Sequence, residues 1–322
     1  MTVLHVCLRR LAFAVPVLVL VSATIFALGK ASPFDPVASS FGERILRASP
    51  DQVDRIRAQW GVDEPAGVQY LAWASRLVQG DLGDSRLFHQ PVVAVLGDRL
   101  GWSVLLAGVG LLLALVVSVV VGCLAARRPG GWFDRVTTTV AYALEAAPVF
   151  WLALGALSLF AVRLQWLPAG GLSDATAEPG VAQVARHLVL PAAVLALSQA
   201  PWFALFVRQS LLTALSQDYV VGARSRGLPE RAVLLHHALR TALLPFVTLV
   251  GARVPELITG ALLVETVFSW PGIASATVSA AVAVDFPLLA ALTLLATVAV
   301  LAGNLLADVL YVVVDPRVRA DA

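Results

Sequence analysis

The chain has 322 residues, of which 59% are apolar and only 14% are charged, and its formal net charge is +2. About a quarter of the residues of an ordinary soluble domain are charged, so this chain has too few charges to cover a soluble core of its size. The small net charge gives no reason to expect nucleic-acid binding. The two cysteines, Cys7 and Cys123, have no metal-ligand spacing, and we expect neither a metal site nor a disulfide. We therefore predict a membrane protein.

Apolar runs of about 20 residues, which are long enough to cross a hydrocarbon layer of roughly 30 Å as helices, recur along the chain. The first run begins with Arg9 and Arg10, as a signal peptide would, but no clear small-x-small cleavage site follows it, so we predict a retained helix. The fold class that follows is an all-α membrane protein with six spans. The predicted spans are 8–28, 101–126, 136–162, 188–207, 243–266 and 288–314.

The distribution of arginine predicts the orientation, because basic residues are enriched in short cytoplasmic loops. With the N-terminus inside, the two short outer loops contain only Arg163 and Arg186, whereas the inner segments contain most of the other arginines outside the long loop 31–100. We expect both termini in the cytoplasm. Residues 1–30 are then the N-terminal end and first helix, 101–314 are the transmembrane core, and 315–322 are a cytoplasmic tail.

The long outer loop, 31–100, contains two predicted helices. The first is predicted over 49–60, where a Ser-Pro-Asp-Gln start supplies a cap, a first-turn proline and a glutamine three residues after the cap. The second is predicted over 67–79 and ends at Gly80. One face of it carries Tyr70, Trp73, Ala74 and Leu77. We predict a small helical cap, which either covers the ends of the spans or contacts a partner.

Several kinds of catalytic site are missing from the sequence. Lys30 is the only lysine and no phosphate-binding glycines precede it, so we expect this chain to bind no ATP and to hydrolyse none. Neither a His-Glu-x-x-His zinc motif nor a Gly-x-Ser-x-Gly nucleophile motif occurs. His236 and His237 are adjacent, so on a helix they point about 100° apart and are poorly placed to share a metal. No catalytic residue is predicted, and a membrane enzyme is the weaker hypothesis.

Residues 215–245 contain a charged segment with the pattern of a helical hairpin. Gly227 suits the end of a first helix, and Pro229 and Glu230 suit the first turn of a second one. An apolar ridge at helical spacing is predicted on the second helix at Ala232, Leu235, Leu239 and Leu243. Joined to the ends of two spans, such a hairpin is either a surface that a partner docks on or a connecting loop that contacts only lipid headgroups.

This segment resembles the coupling ("EAA") loop of the permease subunits of binding-protein-dependent ABC importers, with the spacing of the dipeptide/oligopeptide/nickel branch. The matching residues are Asp218, Tyr219, Ala223, Arg224, Gly227, Leu228, His237, Arg240 and Pro245. The resemblance continues in order along nearly the whole chain. The other matching segments are Leu8-Arg9-Arg10-Leu11, Gly80-Asp81-Leu82-Gly83-Asp84-Ser85, Pro148-Val149-Phe150-Trp151, Val264-Glu265-Thr266-Val267-Phe268, Pro271-Gly272 and Asn304-Leu305-Leu306-Ala307-Asp308.

The resemblance implies the fold of a type I ABC importer permease, in a bacterial inner membrane. It implies three kinds of neighbour besides lipid: a second homologous permease, two ABC ATPase domains that bind ATP and Mg, and an extracytoplasmic binding protein. The large outer loop is that of the first of the two paired permeases. The family's coupling mechanism would pass through Tyr219, Ala223 and Gly227, which we expect to seat the hairpin in a groove of the ATPase.

The sequence departs from the family pattern in ways that bear on the cargo. The chain has Pro33-Phe34-Asp35-Pro36 where the family has Pro-Gly-Asp-Pro, and Glu145-Ala146-Ala147 precedes Pro148 where the family commonly has Ser-Ile-Pro. Arg253 is unusual in its span. Di- or oligopeptides are the cargo we expect, with nickel chelates, glutathione or sugars as alternatives. An ion-coupled carrier is the rival from another class.

Charges inside the predicted spans are costly and usually face a cavity or a partner. Arg253 and Glu256 are three residues apart, so we expect them to share a helix face and to pair. Asp308 is expected to brace two helices, whereas Glu265 either lines the passage or braces its outer gate. Glu145 is our candidate for the passage, where it would favour a cationic end of the cargo. The residues assigned to the translocation pathway are Glu145, Phe150, Trp151 and Glu265.

Overall fold

The structure is a computed structural model, and it describes residues 3–31, 52, 55, 64–174 and 180–314. The predicted helix over 49–60, apart from two of its residues, and the predicted tail over 315–322 lie outside these ranges. The helices of more than ten residues are α1 (Val3–Ala31), α2 (Ala66–Val78), α3 (Val92–Ala126), α4 (Trp132–Ala146), α6 (Val181–Leu215), α11 (Val254–Val267) and α13 (Phe286–Val314). The shorter ones are α5 (Val149–Ala156), α7 (Asp218–Ser225), α8 (Glu230–Ala232), α9 (Leu239–Ala242), α10 (Leu244–Ala252) and α12 (Ile273–Val282).

Two π-helical segments and one small hairpin complete the described structure. The π-helices, Leu157–Arg163 and Val233–Ala238, continue α5 and α8 respectively. Strands β1 (Asp84–Ser85) and β2 (Gln90–Pro91) pair antiparallel immediately before α3. The predicted all-α fold class is confirmed.

Within the described ranges, five helical stretches are long and apolar enough to cross a membrane, and a bent pair of helices makes a sixth. The five are Val3–Ala31, Val92–Ala126, Val181–Leu215, Glu230–Gly251 and Phe286–Val309. The bent pair is Trp132–Ala146 with Val149–Arg163. With the bent pair counted as one span, the number agrees with the six predicted spans, although Glu230–Gly251 overlaps the charged segment 215–245. Two of the predicted spans have a different course.

The third span is not the continuous helix that we predicted over 136–162. Helix α4 ends at Ala146, α5 begins at Val149, and the two helices meet at 104°. Proline clashes with a helical conformation of the residue before it, and Ala147 before Pro148 is extended, with φ −82° and ψ 126°. The proline therefore breaks the span.

The fifth span, predicted over 243–266, is broken as well. It forms α10 and α11, with Arg253 between them at φ −91° and ψ −1°. Pro255 lies in the first turn of α11 and has no N–H to donate to the carbonyl four residues earlier, which ends the hydrogen-bond ladder of α10. The apolar helical stretch also begins earlier than predicted, at Glu230.

The described contacts divide the chain into two units, and the first comprises Met1–Arg10, Trp102–Ser275 and Val300–Ala322. Its core surrounds α6, whose buried side chains face several other helices. One cluster includes Leu106, Leu195, Val264, Phe268 and Trp270, and another is built on Phe203, Val207 and Phe246. A third cluster, at the C-terminal end of α6, holds the segment that follows it.

The second unit comprises Leu11–Gly101 and Ala276–Ala299. In it, the predicted helix over 67–79 is present as α2, and the predicted face of α2 carries its less exposed side chains. Tyr70 and Trp73 on that face pack against Phe26 with ring centroids 5.6 and 5.8 Å apart, and the Tyr70 hydroxyl lies 2.9 Å from Ser22 Oγ. The second predicted helix of the outer loop is confirmed.

A buried carboxylate in the second unit holds the strand hairpin. Asp285 Oδ2 accepts hydrogen bonds from Ser85 Oγ at 2.7 Å and from the backbone N–H of Leu87 at 2.9 Å. Both Ser85 and Asp285 are almost completely buried. Sequence reasoning missed Asp285, although Ser85 lies in a recognised segment, because 200 positions separate the two residues.

Candidate functional site

The segment between α6 and α10 is a hairpin, defined here as residues 215–245 and called the docking hairpin. Its first helix, α7, ends at Ser225 and is capped by Arg226, and Gly227 follows with a φ of +78°. The N–H of Gly227 donates to the carbonyl of Arg224 at 2.9 Å, and that of Leu228 donates to the carbonyl of Ala223 at 3.4 Å. These two bonds close the helix end in the manner for which glycine is favoured. The predicted helix end at Gly227 is confirmed.

The second arm of the docking hairpin combines α8, the π-helix Val233–Ala238 and α9. A π-turn contains one residue more than an α-turn, so the face that packs inward shifts along the arm. Val233, Ala238 and Ala242 are buried, whereas Leu235 is 51% exposed. The four residues of the predicted ridge therefore differ in exposure: Ala232, Leu239 and Leu243 are half-buried and Leu235 is exposed.

The buried side of the docking hairpin packs against the C-terminal ends of α3 and α6. Val220 and Ala223 are completely buried in one cluster with Ala126 and Leu211. We predicted that Ala223 helps to seat the hairpin in a groove of the ATPase, and that role stays a prediction. In the described structure the Ala223 side chain is enclosed by its own chain, where it fixes the hairpin to the helices.

The opposite side of the docking hairpin is exposed. His237 is half-buried. The exposed predicted residues are Asp218, Tyr219, Arg224, Gly227, Leu228, Arg240 and Pro245. The exposed surface thus mixes charged with apolar side chains, a composition suited to contact with another protein.

An ion pair links the two arms. Arg224 Nε lies 2.8 Å from Glu230 Oε1, and Arg224 Nη2 lies 3.3 Å from Glu230 Oε2. The hydrogen bond to the Glu230 carboxylate raises the pKa of Arg224. Because both side chains are exposed, the pair contributes little stability. Its two contacts join the arms on either side of the turn at Gly227.

A second ion pair, which sequence reasoning missed, fixes the helix that carries the docking hairpin. Arg208 of α6 makes two hydrogen bonds to Asp134, one of them from Nη2 to Oδ2 at 2.7 Å, and Asp134 is buried. The N–H of Gly130 donates to the same carboxylate at 2.8 Å. Asp134 lies just before the predicted third span, so it was not considered as an intramembrane charge.

The described ion-pair partner of Arg253 is Glu145. Arg253 Nη2 lies 3.7 Å from Glu145 Oε1, and the guanidinium carbon lies 3.7 Å from the ring centroid of Trp202. The side chain of Glu256 lies outside the described residues, so the predicted pairing of Arg253 with Glu256 stays a prediction.

Glu265 is completely buried and braces the chain around it. Its carboxylate accepts hydrogen bonds from Ser103 Oγ at 2.6 Å and from the N–H groups of Ala274 and Ser275 at 2.8 and 3.1 Å. Of the two roles that we considered, the described contacts are those of a brace. Gly272 is required beside it, since a Cβ there would lie 2.2 Å from the carboxylate.

The remaining predicted residues lie at the surface of the chain. Asp308 of α13 forms an ion pair with Arg10 of α1, as expected for a residue that braces two helices. Phe150 and Trp151 are exposed in the first turn of α5, Trp151 by 68%. Among the described residues, no group of three His, Cys, Asp or Glu side chains is placed to hold a metal ion.

Comparison with known proteins agrees with this architecture. Residues 118–320 match the family described as the inner membrane component of binding-protein-dependent transport systems, and residues 3–104 match the N-terminal family of such membrane components.

The similar proteins share almost their full length with this chain. A putative peptide permease of Brucella suis is 36% identical over 317 residues, which are 98% of this chain and 99% of that protein. The oligopeptide transport system permease AppB of Bacillus subtilis is 36% identical over 97% of this chain and 98% of its own. A probable peptide ABC transporter permease of Sinorhizobium fredii is 35% identical, with the same coverage. The chain therefore belongs to the family of inner membrane components of binding-protein-dependent transport systems.

Proposed function

We propose that this chain is the peptide-conducting permease subunit of an ATP-driven importer, and that it works as a heterodimer with a second, homologous permease. Family membership supports the importer function, and the names of the three relatives support a peptide cargo. A binding protein would deliver the peptide from outside the cell membrane. ATP and Mg would bind to separate ATPase subunits.

The observation that carries this proposal is the two-sided docking hairpin. Its inner side is locked to α3 and α6 by buried side chains such as Val220 and Val233, while Tyr219 and Leu228 on its outer side are exposed. A separate ATPase that drives this chain needs an exposed surface to bind and a firm connection from that surface to the membrane helices. The chain has no phosphate-binding lysine motif, so the work must come from a partner.

The mechanism follows from how the docking hairpin is attached. When two ATPase domains close on ATP, a hairpin held in their surface moves with them. Because Ala223 and Leu211 are packed in one cluster, that movement passes directly into the C-terminal end of α6. The Asp134–Arg208 bonds connect α6 to α4, so the bent pair α4–α5 follows. The passage would then change from inward-facing to outward-facing, accept a peptide and return.

The proposed orientation places the docking hairpin and both termini in the cytoplasm. Arginines concentrate in and near the docking hairpin, and this is the side that basic residues favour. Helix α2 and the strand hairpin then lie on the extracytoplasmic side, where a binding protein would dock.

Reconstitution tests the proposed function. The complex, with both permeases, the ATPases and the binding protein, is placed in proteoliposomes, and uptake of a tripeptide library is measured by mass spectrometry with and without ATP. We expect peptide uptake that requires ATP and the binding protein. Uptake of a nickel chelate or of glutathione in place of tripeptides would overturn the peptide cargo. Uptake driven by a proton gradient alone would overturn the importer mechanism.

A further inference from the structure

Two charged residues meet where two spans are broken. Glu145 lies two residues before the break between α4 and α5, and Arg253 is itself the residue between α10 and α11. The Arg253 guanidinium and the Glu145 carboxylate are 3.7 Å apart. The two breaks, which are far apart in the sequence, are therefore neighbours in the folded chain.

An aromatic surface lies under this pair. The guanidinium of Arg253 is stacked on the ring of Trp202, a cation–π arrangement that orients the charge. Trp202 is stacked with Phe206, and Phe206 with Phe246. Trp202 lies 13 residues before the end of α6, which at a rise of 1.5 Å per residue is about 20 Å along the helix. Trp202 thus lies well inside α6 and within the predicted span 188–207.

Structural support alone is a poor explanation for this arrangement. An ion pair at such depth is rarely more stable than apolar side chains of similar volume, and broken backbone in a membrane is tolerated only inside protein or beside a water-filled cavity. The pair is also partly open, since the Arg253 and Glu145 side chains are 18% and 38% exposed. In transporters, broken helices supply the ends that bind substrate near the membrane midplane.

We propose that Arg253 and Glu145 bind the charged ends of the peptide cargo as it passes. The pair opens, the guanidinium of Arg253 binds the terminal carboxylate, and the carboxylate of Glu145 binds the terminal ammonium group. Each charge keeps an opposite partner throughout, so no uncompensated charge is left at this depth. Trp202 keeps the guanidinium in position while its partner changes. This inference rests on the proposed function, because it requires a peptide cargo.

The chemistry favours a zwitterion, since only a cargo with both charges replaces both halves of the pair. A peptide with an amidated C-terminus offers no carboxylate to Arg253. A peptide with an acetylated N-terminus offers no ammonium group to Glu145. The two halves of the site therefore make separate predictions, one for each end of the peptide.

The test uses the reconstituted complex with three tripeptide libraries: unmodified, C-amidated and N-acetylated. In Arg253→Gln, uptake of unmodified peptides relative to C-amidated ones should fall about tenfold or more compared with the wild type, as expected for loss of a charged hydrogen bond. In Glu145→Gln, the ratio of unmodified to N-acetylated peptides should fall in the same way. Any preference of the binding protein is common to all variants and cancels in this comparison.

Asp308→Asn is the matched control, because it removes one partner of another ion pair of the same chain. It should leave both ratios at their wild-type values. Co-purification of the partner subunits checks assembly. If Arg253→Gln does not assemble, Glu145→Gln at the more exposed position tests the site by itself.

Two results separate failure of this inference from failure of the proposed function. If the wild type imports peptides and neither variant changes its ratio, or both variants lower uptake of all three libraries equally, the site is not a binding site for peptide ends. If the wild type imports no peptide library with ATP, the proposed function fails, and this inference fails with it.

Discussion

A Cβ atom on residue 272 would lie 2.2 Å from the carboxylate of Glu265, so any larger residue at that position has to displace the carboxylate from its brace. The two residues belong to neighbouring recognised segments of the sequence. Their relationship explains physically why both occur together, because the carboxylate must approach the backbone N–H groups of Ala274 and Ser275.

Replacing Gly272 by alanine should release those hydrogen bonds. Burying an unsatisfied carboxylate or displacing it costs about 1–3 kcal/mol, so we expect Gly272→Ala to lower the thermal unfolding temperature of the purified chain in detergent. Gly155→Ala is the control, since no atom lies within 4 Å of a Cβ there. An unchanged unfolding temperature for Gly272→Ala would show that the carboxylate is not held as described.

Gly227→Val should disconnect the docking hairpin from its partner while membrane insertion stays normal. A residue with a Cβ in the left-handed conformation costs about 1–2 kcal/mol, and a β-branched one more, so the turn between the arms should open. We expect loss of ATPase co-purification and of peptide-stimulated ATP hydrolysis.

Gly80→Val is the matched control for that variant. Gly80 has a φ of +85° and lies at the end of α2, where the backbone bonds repeat the pattern at Gly227. The N–H of Gly80 donates to the carbonyl of Leu77, and the N–H of Asp81 donates to the carbonyl of Arg76. Gly80→Val imposes the same kind of backbone strain as Gly227→Val, but outside the docking hairpin, so the ATPase should still co-purify with this variant. Normal stimulation in Gly227→Val would contradict the role of the hairpin in coupling.

Ala223→Leu distinguishes a residue that holds the hairpin from one that contacts a partner. Overpacking a buried site costs about 1–3 kcal/mol, and Ala223 is enclosed by Ala126 and Leu211. We therefore expect a lower unfolding temperature of this chain even when it is purified without ATPases. A variant that unfolds normally alone but loses its ATPase would show that Ala223 acts at the contact with the partner and not through packing within the chain.

Asp285→Asn should loosen the strand hairpin of the second unit. The amide keeps the shape of the side chain, but in either orientation its NH2 group faces a buried donor. That donor is Ser85 Oγ or the N–H of Leu87 at the Oδ2 position, or the N–H of Leu288 at the Oδ1 position. A loss of about 1–3 kcal/mol is expected for unsatisfied buried donors. Faster protease cleavage near residues 84–91 would be the readout, and Asp81→Asn at an exposed position is the control.

Local sequence signals predicted helix ends correctly where a single residue determines the backbone conformation. Gly227 and Gly80 end their helices as expected, and the face of α2 with Tyr70 and Trp73 follows regular helical spacing. The prolines at positions 148 and 255 could also have predicted that the third and fifth spans are interrupted. Pro148 does break its span, yet the 104° bend depends on how α4 and α5 pack and is not encoded in any single residue.

Other features were beyond local patterns. The π-helix over Val233–Ala238 replaces α-helical spacing and moves Leu235 outward. The bond between Ser85 and Asp285 and the pair of Glu145 with Arg253 join distant positions of the chain. Such pairs become visible only when the fold brings their helices together.

Site-directed cross-linking tests most directly whether the docking hairpin is the surface on which a separate ATPase acts. Cys7 and Cys123 are first replaced by serine, and one cysteine is placed at Val221, which is 54% exposed in α7, or at Val181, which is 89% exposed at the other end of α6. We expect position 221 to cross-link to the ATPase subunit, with a yield that changes on ATP binding, and position 181 to give no such product. Cross-linking of the ATPase from position 181, or none from 221 in a complex that retains its ATPase, would contradict this assignment.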